Sequence, residues 1–211
     1  MGVASSTAAP RPPGGLLPGG RVIPFRRRGE AATAWLGMVV FLGSWAMMFA
    51  GLFFSYGLVR LRAPAWPPPD QPPLPLLLPG VNVAVVLLSE GALVLALRRL
   101  RGGKPRPAAA ALVAATLLGA TFLALQTAVW VSLWDAGLRP DGGPYASVFY
   151  ALTVFHAIHV LVGLVALVWL AARSLAGGLG PTRLQALRLW AMYWHFVGAV
   201  WVALYLAVYV I

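Results

Sequence analysis

Cysteine is absent from the 211-residue sequence, and charged side chains make up only 10% of it. Without cysteine the chain has no disulfide, no thiolate metal ligand, no iron–sulfur site, no c-type haem attachment and no cysteine nucleophile. Soluble domains usually carry about 25% charged residues. The low charge, the 60% apolar content and a mean hydropathy of +0.81 are therefore typical of a protein that lies in a lipid bilayer.

Acidic residues are also scarce: five stand against 16 lysines and arginines, for a net charge of +11. A balance this basic can indicate nucleic-acid binding. Here the basic residues occur in short runs beside apolar segments, which is the pattern of membrane topology signals. We therefore expect membrane lipids as partners and no nucleic acid.

Five apolar segments are each about 20 residues or longer, enough to cross ~30 Å of hydrocarbon at ~1.5 Å per residue. Only helices that satisfy their own backbone groups cross in this way. The sequence predicts an all-α membrane protein, a bundle of five transmembrane helices. The predicted spans are Ala34–Val59, Leu76–Leu97, Ala108–Trp134, Ala146–Ala172 and Ala186–Ile211.

Residues 1–31 are rich in Pro, Gly, Ser and Arg, and we interpret them as a disordered basic cytoplasmic tail. Residues 32–211 then form the transmembrane domain. The tail, the loops at 98–107 and 173–185, and Arg188 hold thirteen basic residues. The opposite loops hold three, which are Arg60, Arg62 and Arg139. The positive-inside rule predicts a cytoplasmic N-terminus and a periplasmic C-terminus.

All three histidines fall inside predicted spans. His156 and His159 are three residues apart and share a helix face, and His195 is in the last span. Two histidines at this spacing plus a third can in principle ligate a metal. The simpler interpretation is that each neutral imidazole makes interhelical hydrogen bonds, because no neighbouring carboxylate in the sequence completes a site. The sequence carries no phosphate-binding glycine loop and no nucleophile elbow.

Glu90 is the only acidic residue in the apolar interior of a span. It is a candidate proton relay or partner of a basic group. The alternative is a carboxyl group that reaches towards Arg98 or Arg99, or that burial keeps protonated. Further polar residues in the spans are expected to bridge helices. These are Asn82, Gln126, Thr127 and Thr153.

Motifs in the last two spans resemble the subunit III family of haem–copper oxidases. The motif residues are His156, His159, Gly163, Tyr193, Trp194, His195, Phe196 and Trp201. Four further segments are similar to the family in the same order: residues 41–53, 66–68, 79–89 and 125–126. The resemblance covers residues 34–211, and the five predicted spans match the five-span bacterial form.

The resemblance implies a non-catalytic subunit III in the inner (plasma) membrane of a bacterium, with no catalytic residue, cofactor or metal of its own. Its partners would be catalytic subunit I, which carries haem and copper, and the other oxidase subunits. Its role would be to support the stability and sustained turnover of subunit I, and phospholipid would bind to it. Lipid or partner contacts would include Arg60, Trp66, Asn82 and Glu90.

The sequence departs from the family at three membrane carboxylates. Trp45, Val129 and Gly198 occupy positions where the family often has an acid, and Glu90 occupies one where it usually has a small residue. These departures favour a scaffold and lipid-holding partner over a proton conduit.

Three alternatives differ from a terminal oxidase subunit. The first is an accessory subunit of a nitric oxide reductase, because the missing carboxylates fit a partner that does not pump protons. A stand-alone transporter would be expected to show an inverted repeat or broken helices lining a midplane site, and the sequence shows neither an evident repeat nor a polar stripe. An independent metalloenzyme would use His156, His159 and His195.

Overall fold

The structure, a computed structural model, describes residues 14–16, 22–176 and 181–211. Its five long helices are α1 Phe25–Arg62, α2 Leu77–Arg101, α3 Pro105–Asp135, α4 Pro144–Leu175 and α5 Pro181–Leu204. A π-helical segment, Tyr205–Val210, continues α5 without a break. Ahead of α1, two three-residue strands pair antiparallel: β1 Gly14–Leu16 and β2 Val22–Pro24.

Each long helix contains a segment apolar enough to cross a membrane. These segments are Ala31–Arg62, Leu77–Arg101, Pro105–Asp135, Pro144–Leu175 and Leu184–Val210. The prediction of an all-α bundle with five membrane-spanning helices is confirmed. Much of the predicted disordered tail at 1–31 lies outside the described residues; within it the structure describes the two short strands and the beginning of α1.

The helices begin and end where the local sequence requires it. Pro105 and Pro144 open α3 and α4, at positions where a helix has no use for a backbone N–H. Gly137 follows α3 with φ of 92°, a conformation that favours glycine, and lets the chain turn back. Across this turn the Tyr150 hydroxyl donates to the Leu138 carbonyl oxygen at 2.8 Å, which holds the loop against α4.

Helices α2 to α5 form a four-helix bundle in which α2 packs most extensively on α3, and α5 closes the ring between α4 and α2. Helix α1 packs on α4 and α5 and is exposed along most of its length. In the described part of the chain, α2 to α5 therefore form a closed bundle, and α1 packs against its outer surface.

Candidate functional site

The Trp194 ring lies where α2, α3, α4 and α5 meet. A Cβ atom added at Gly119 of α3 or at Gly163 of α4 would lie 2.8 Å from this ring. The Trp194 Nε1–H donates to the Ser89 hydroxyl at 3.1 Å, and this hydroxyl donates to the Ala115 carbonyl oxygen at 2.8 Å. One buried side chain thus fixes the separation and rotation of four helices.

His156 is buried in an aromatic cage and is 1% exposed. Its ring stacks on Trp201, with ring centroids 5.4 Å apart, and meets the edges of Phe122 and Phe49 at 5.9 and 6.3 Å. Neither ring nitrogen has a hydrogen-bond partner among the described residues. His156 therefore contributes aromatic packing, and the expected interhelical hydrogen bond is not formed.

His159 lies one turn further along α4 and is also buried. Its Nδ1–H donates to the Phe155 carbonyl oxygen within the same helix at 2.6 Å. The ring packs edge-on against Trp45 of α1, with centroids 4.1 Å apart, and against Phe49 at 5.2 Å. The Tyr193 hydroxyl donates to the His159 carbonyl oxygen at 3.0 Å, which ties α5 to α4. His159 is thus one of the residues through which α1 packs on the bundle.

The third histidine is exposed, unlike the first two. His195 Nδ1 contacts the Glu90 carboxylate, so of the three histidines this one makes the expected interhelical polar contact. Among the residues that the structure describes, no group of three or more His, Cys, Asp or Glu is placed to hold a metal ion. The geometry gives no support to a metal site built from His156, His159 and His195.

One interpretation of the sequence expected Glu90 to reach Arg98 or Arg99. It reaches neither of them. Two helical turns, about 12 Å, separate Glu90 from Arg98 along α2, and the carboxyl group points sideways to α5. There it fills the space beside Gly198, where an added Cβ would lie 2.6 Å from Glu90 Oε1. The partner of Glu90 is therefore His195, and the expectation of an arginine partner is wrong.

Of the four other polar residues that were expected to bridge helices, two do so. The Asn82 amide donates to the Phe122 carbonyl oxygen at 3.4 Å, joining α2 to α3. The Trp130 Nε1–H donates to the Thr153 hydroxyl at 3.1 Å, joining α3 to α4. Thr127 instead donates to a carbonyl oxygen of its own helix. The side-chain amide of Gln126 has no hydrogen-bond partner among the described residues. The sequence had not indicated Ser89, although it lies seven residues after Asn82 and so shares its helix face.

Just after the C-terminal end of α1, the Trp66 ring lies between the rings of Tyr56 and Tyr145, with ring centroids 5.6 and 4.8 Å away. The Arg60 guanidinium lies 5.8 Å from the centre of the Trp66 ring and donates to the carbonyl oxygen of Ile211. An apolar pocket of about 450 Å³ opens beside this cluster, between the end of α1, the proline-rich loop and the start of α4. A cation, an indole and an apolar pocket thus meet at one end of the bundle.

Comparison with known proteins gives one consistent family. The family described as cytochrome c oxidase subunit III matches residues 30–211. The chain is 34% identical over 176 residues to the cytochrome c oxidase subunit 3 of a Synechocystis species, covering 83% of this chain and 74% of that protein. It is also 34% identical over 185 residues to a probable cytochrome c oxidase subunit 3 of Nocardia farcinica, covering 82% and 86%.

The similarity extends beyond bacteria. The cytochrome c oxidase subunit 3 of Papio hamadryas is 32% identical over 180 residues, covering 82% of this chain and 67% of the relative. The matched region contains all five membrane-spanning segments, including the Trp194 junction and the histidines of α4. The chain therefore belongs to the cytochrome c oxidase subunit III family.

Proposed function

We propose that the chain is a non-catalytic accessory subunit of a haem–copper terminal oxidase in the plasma membrane of a bacterium. The observation that carries the proposal is the family match, which spans residues 30–211 and so includes every helix of the bundle. The chain acts there as a multi-pass scaffold of the aerobic respiratory chain.

The partner that fits this role is the catalytic subunit I, together with the other subunits of the complex. Haem and copper belong to that partner. Support comes from the use that this chain makes of its histidines: two are packed among aromatic rings and the third contacts a carboxylate. The chain would stabilise subunit I and prolong its activity over many turnovers.

The orientation that we propose has the N-terminus in the cytoplasm and the C-terminus in the periplasm. Arg98, Arg99 and Arg101 end α2, and Arg106 opens α3 at the same end of the bundle. The tail at 1–31 would add its arginines on this side, next to anionic headgroups. Residues 32–211 form the part that the membrane holds.

Phospholipid is the ligand that we propose for the opposite end. Trp66 lines the 450 Å³ apolar pocket, which would accept part of an acyl chain. The Arg60 guanidinium, 5.8 Å from the centre of the Trp66 ring, would face a headgroup phosphate. Asn82 and Glu90 were also candidates for such contacts. Asn82 is fully buried and bonded within the bundle, which does not support a lipid contact there.

The proposal is tested by purifying the tagged chain from host membranes in a mild detergent and recording a reduced-minus-oxidised spectrum. Co-purification of a haem-bearing subunit, with oxygen consumption by the complex, is the expected result. Nitric oxide consumption without oxygen consumption would favour the nitric oxide reductase alternative. No haem-bearing partner across several detergents would overturn the proposal.

A second experiment examines the scaffold role. Oxidase purified from a strain without this chain should begin at a rate close to that of the complete complex and then lose activity during continuous turnover. Adding back the purified chain should slow the loss. Equal decay of the two preparations would contradict a role in sustained turnover.

A further inference from the structure

One face of α5 is exposed along the length of the helix. On one side of this face Phe196 packs against Phe49 of α1, with ring centroids 6.3 Å apart. On the other side Gly198 meets Glu90 of α2. The residues between are exposed and run the length of the helix; we call them the α5 stripe. They are Arg188, His195, Ala199, Ala203 and Leu206.

The α5 stripe carries a polar group deep in the membrane. His195 is eleven residues from the start of the span at Leu184 and fifteen from its end at Val210, or about 16 and 22 Å along the axis. Its side chain is nevertheless 44% exposed, although Glu90 contacts one ring nitrogen. With Nδ1 at Glu90, the imidazole is therefore part of the outer surface of the bundle, near the middle of the bilayer.

Hydrocarbon is a poor neighbour for this surface, because acyl chains have no group that accepts or donates a hydrogen bond. Ionisable residues inside membranes face protein or water-filled cavities. The rest of the α5 stripe is shaped for protein contact. Ala199 and Ala203 follow His195 on the same face, and small side chains of this kind let a second helix approach closely.

We propose that the α5 stripe is the docking surface for one transmembrane helix of a partner subunit. That helix would lie in the groove between α1 and α2 and bring a hydrogen-bonding side chain to the imidazole of His195. The Glu90–His195 pair is then a polar contact point that sets how deep the partner helix sits. This inference rests on the proposed function, because it names the face by which the chain joins the oxidase complex.

The main test uses two matched substitutions in the full chain, purified with its complex. Ala199→Leu adds bulk to the α5 stripe, and Ala120→Leu makes the same change on the exposed face of α3 at a similar depth. Ala199→Leu should lower the recovery of the haem-bearing partner on the order of tenfold, because close helix contacts do not accommodate added bulk. Ala120→Leu should leave recovery unchanged, and both isolated chains should unfold at the wild-type temperature.

A second pair of variants examines the polar contact. His195→Phe should lower partner recovery by about threefold or more, and His195→Gln, which keeps a hydrogen-bonding group, should restore at least half of it. Each isolated variant is first matched to the wild type in unfolding temperature. Equal recovery with Phe and Gln would contradict the polar contact point.

The remaining outcomes separate the possible occupants of the groove. If Ala199→Leu keeps its partner but loses bound phospholipid in native mass spectrometry, a lipid occupies the groove and the inference is wrong. If the variant only abolishes a dimer of the isolated chain, a second copy occupies it and the inference is equally wrong. If both Ala→Leu variants lose the partner, or neither does, the docking inference is also wrong while the proposed function stands. If the wild-type chain recovers no haem-bearing partner, the proposed function fails and this inference fails with it.

Discussion

Replacing Gly119 with alanine should destabilise the bundle through a single contact. The added Cβ would lie 2.8 Å from the Cζ2 and Cη2 atoms of Trp194. Carbon atoms prefer separations of at least about 3.5 Å, so the ring or the helix must move by about 0.7 Å. The ring has little freedom to do so, because its Nε1–H is bonded to Ser89 and Gly163 lies against another part of the indole.

The magnitude follows from two opposing effects. Overpacking a well-filled core usually costs about 1–3 kcal/mol. Alanine is a better helix former than glycine by up to about 1 kcal/mol. Because the Trp194 ring is held on two sides, the overpacking cost should lie in the upper part of its range, about 2–3 kcal/mol. The free energy of unfolding of Gly119→Ala should therefore fall by about 1–2 kcal/mol. In a Trp194→Phe background the same substitution should be neutral or stabilising, because phenylalanine lacks the outer ring atoms that the methyl group meets.

The measurement is unfolding of the chain in detergent micelles by increasing proportions of sodium dodecyl sulfate, followed by far-ultraviolet circular dichroism. The control is Gly51→Ala in α1, where an added Cβ meets nothing within 4 Å and stability should hold or rise. If Gly119→Ala matches the wild type within about 0.5 kcal/mol, or loses as much in the Trp194→Phe background, the reasoning about this junction is refuted.

Three further predictions concern polar groups of the bundle. Ser89→Ala should lower the free energy of unfolding by about 1–3 kcal/mol, because a buried indole N–H loses its acceptor. Glu90→Ala should also destabilise the chain, and adding Gly198→Asp should recover part of the loss, since the new carboxyl group would enter the space that Glu90 now fills. Tyr150→Phe should cost about 0.5–1.5 kcal/mol and speed backbone hydrogen exchange near Leu138, whose carbonyl oxygen the hydroxyl now bonds.

Each of the three has a matched control in the same assay. Ser55→Ala removes an exposed hydroxyl that bonds only its own helix and should change stability by less than about 0.5 kcal/mol. Gly198→Asn in the Glu90→Ala background adds similar bulk without a carboxylate, and recovery equal to that of aspartate would contradict the role of charge. Tyr205→Phe, whose hydroxyl lies 3.5 Å from its acceptor, should cost less than Tyr150→Phe. The opposite order would show that these distances do not govern the cost.

The sequence predicted the helices closely because membrane spans follow from local hydropathy. The second span was predicted at Leu76–Leu97, and the helix runs Leu77–Arg101. The added turn is basic. Arginine in the last turn extends its charged end to the headgroups, so the helix continues past the apolar segment. Hydropathy therefore locates the membrane boundary, but it does not define the end of the helix to better than about one turn.

Side-chain partners were harder to predict, because they depend on how each helix is rotated against its neighbours. Glu90 is eight residues from Arg98 in sequence, but its carboxyl group lies across the helix interface beside His195. His156 and His159 share a face in sequence, yet one meets Trp201 and the other Trp45. No periodicity within a single helix contains this information.

The position of α1 has a consequence for how the protein is made. Of the five helices, α1 is the first to leave the ribosome, but it packs on α4 and α5, and α4 begins about 80 residues after α1 ends. During synthesis α1 must therefore remain in the bilayer as an independently inserted helix, held only by its own hydropathy. Its docking against His159 and Tyr193 is then a late step of biogenesis, and it closes the subunit only after the last helix has been inserted.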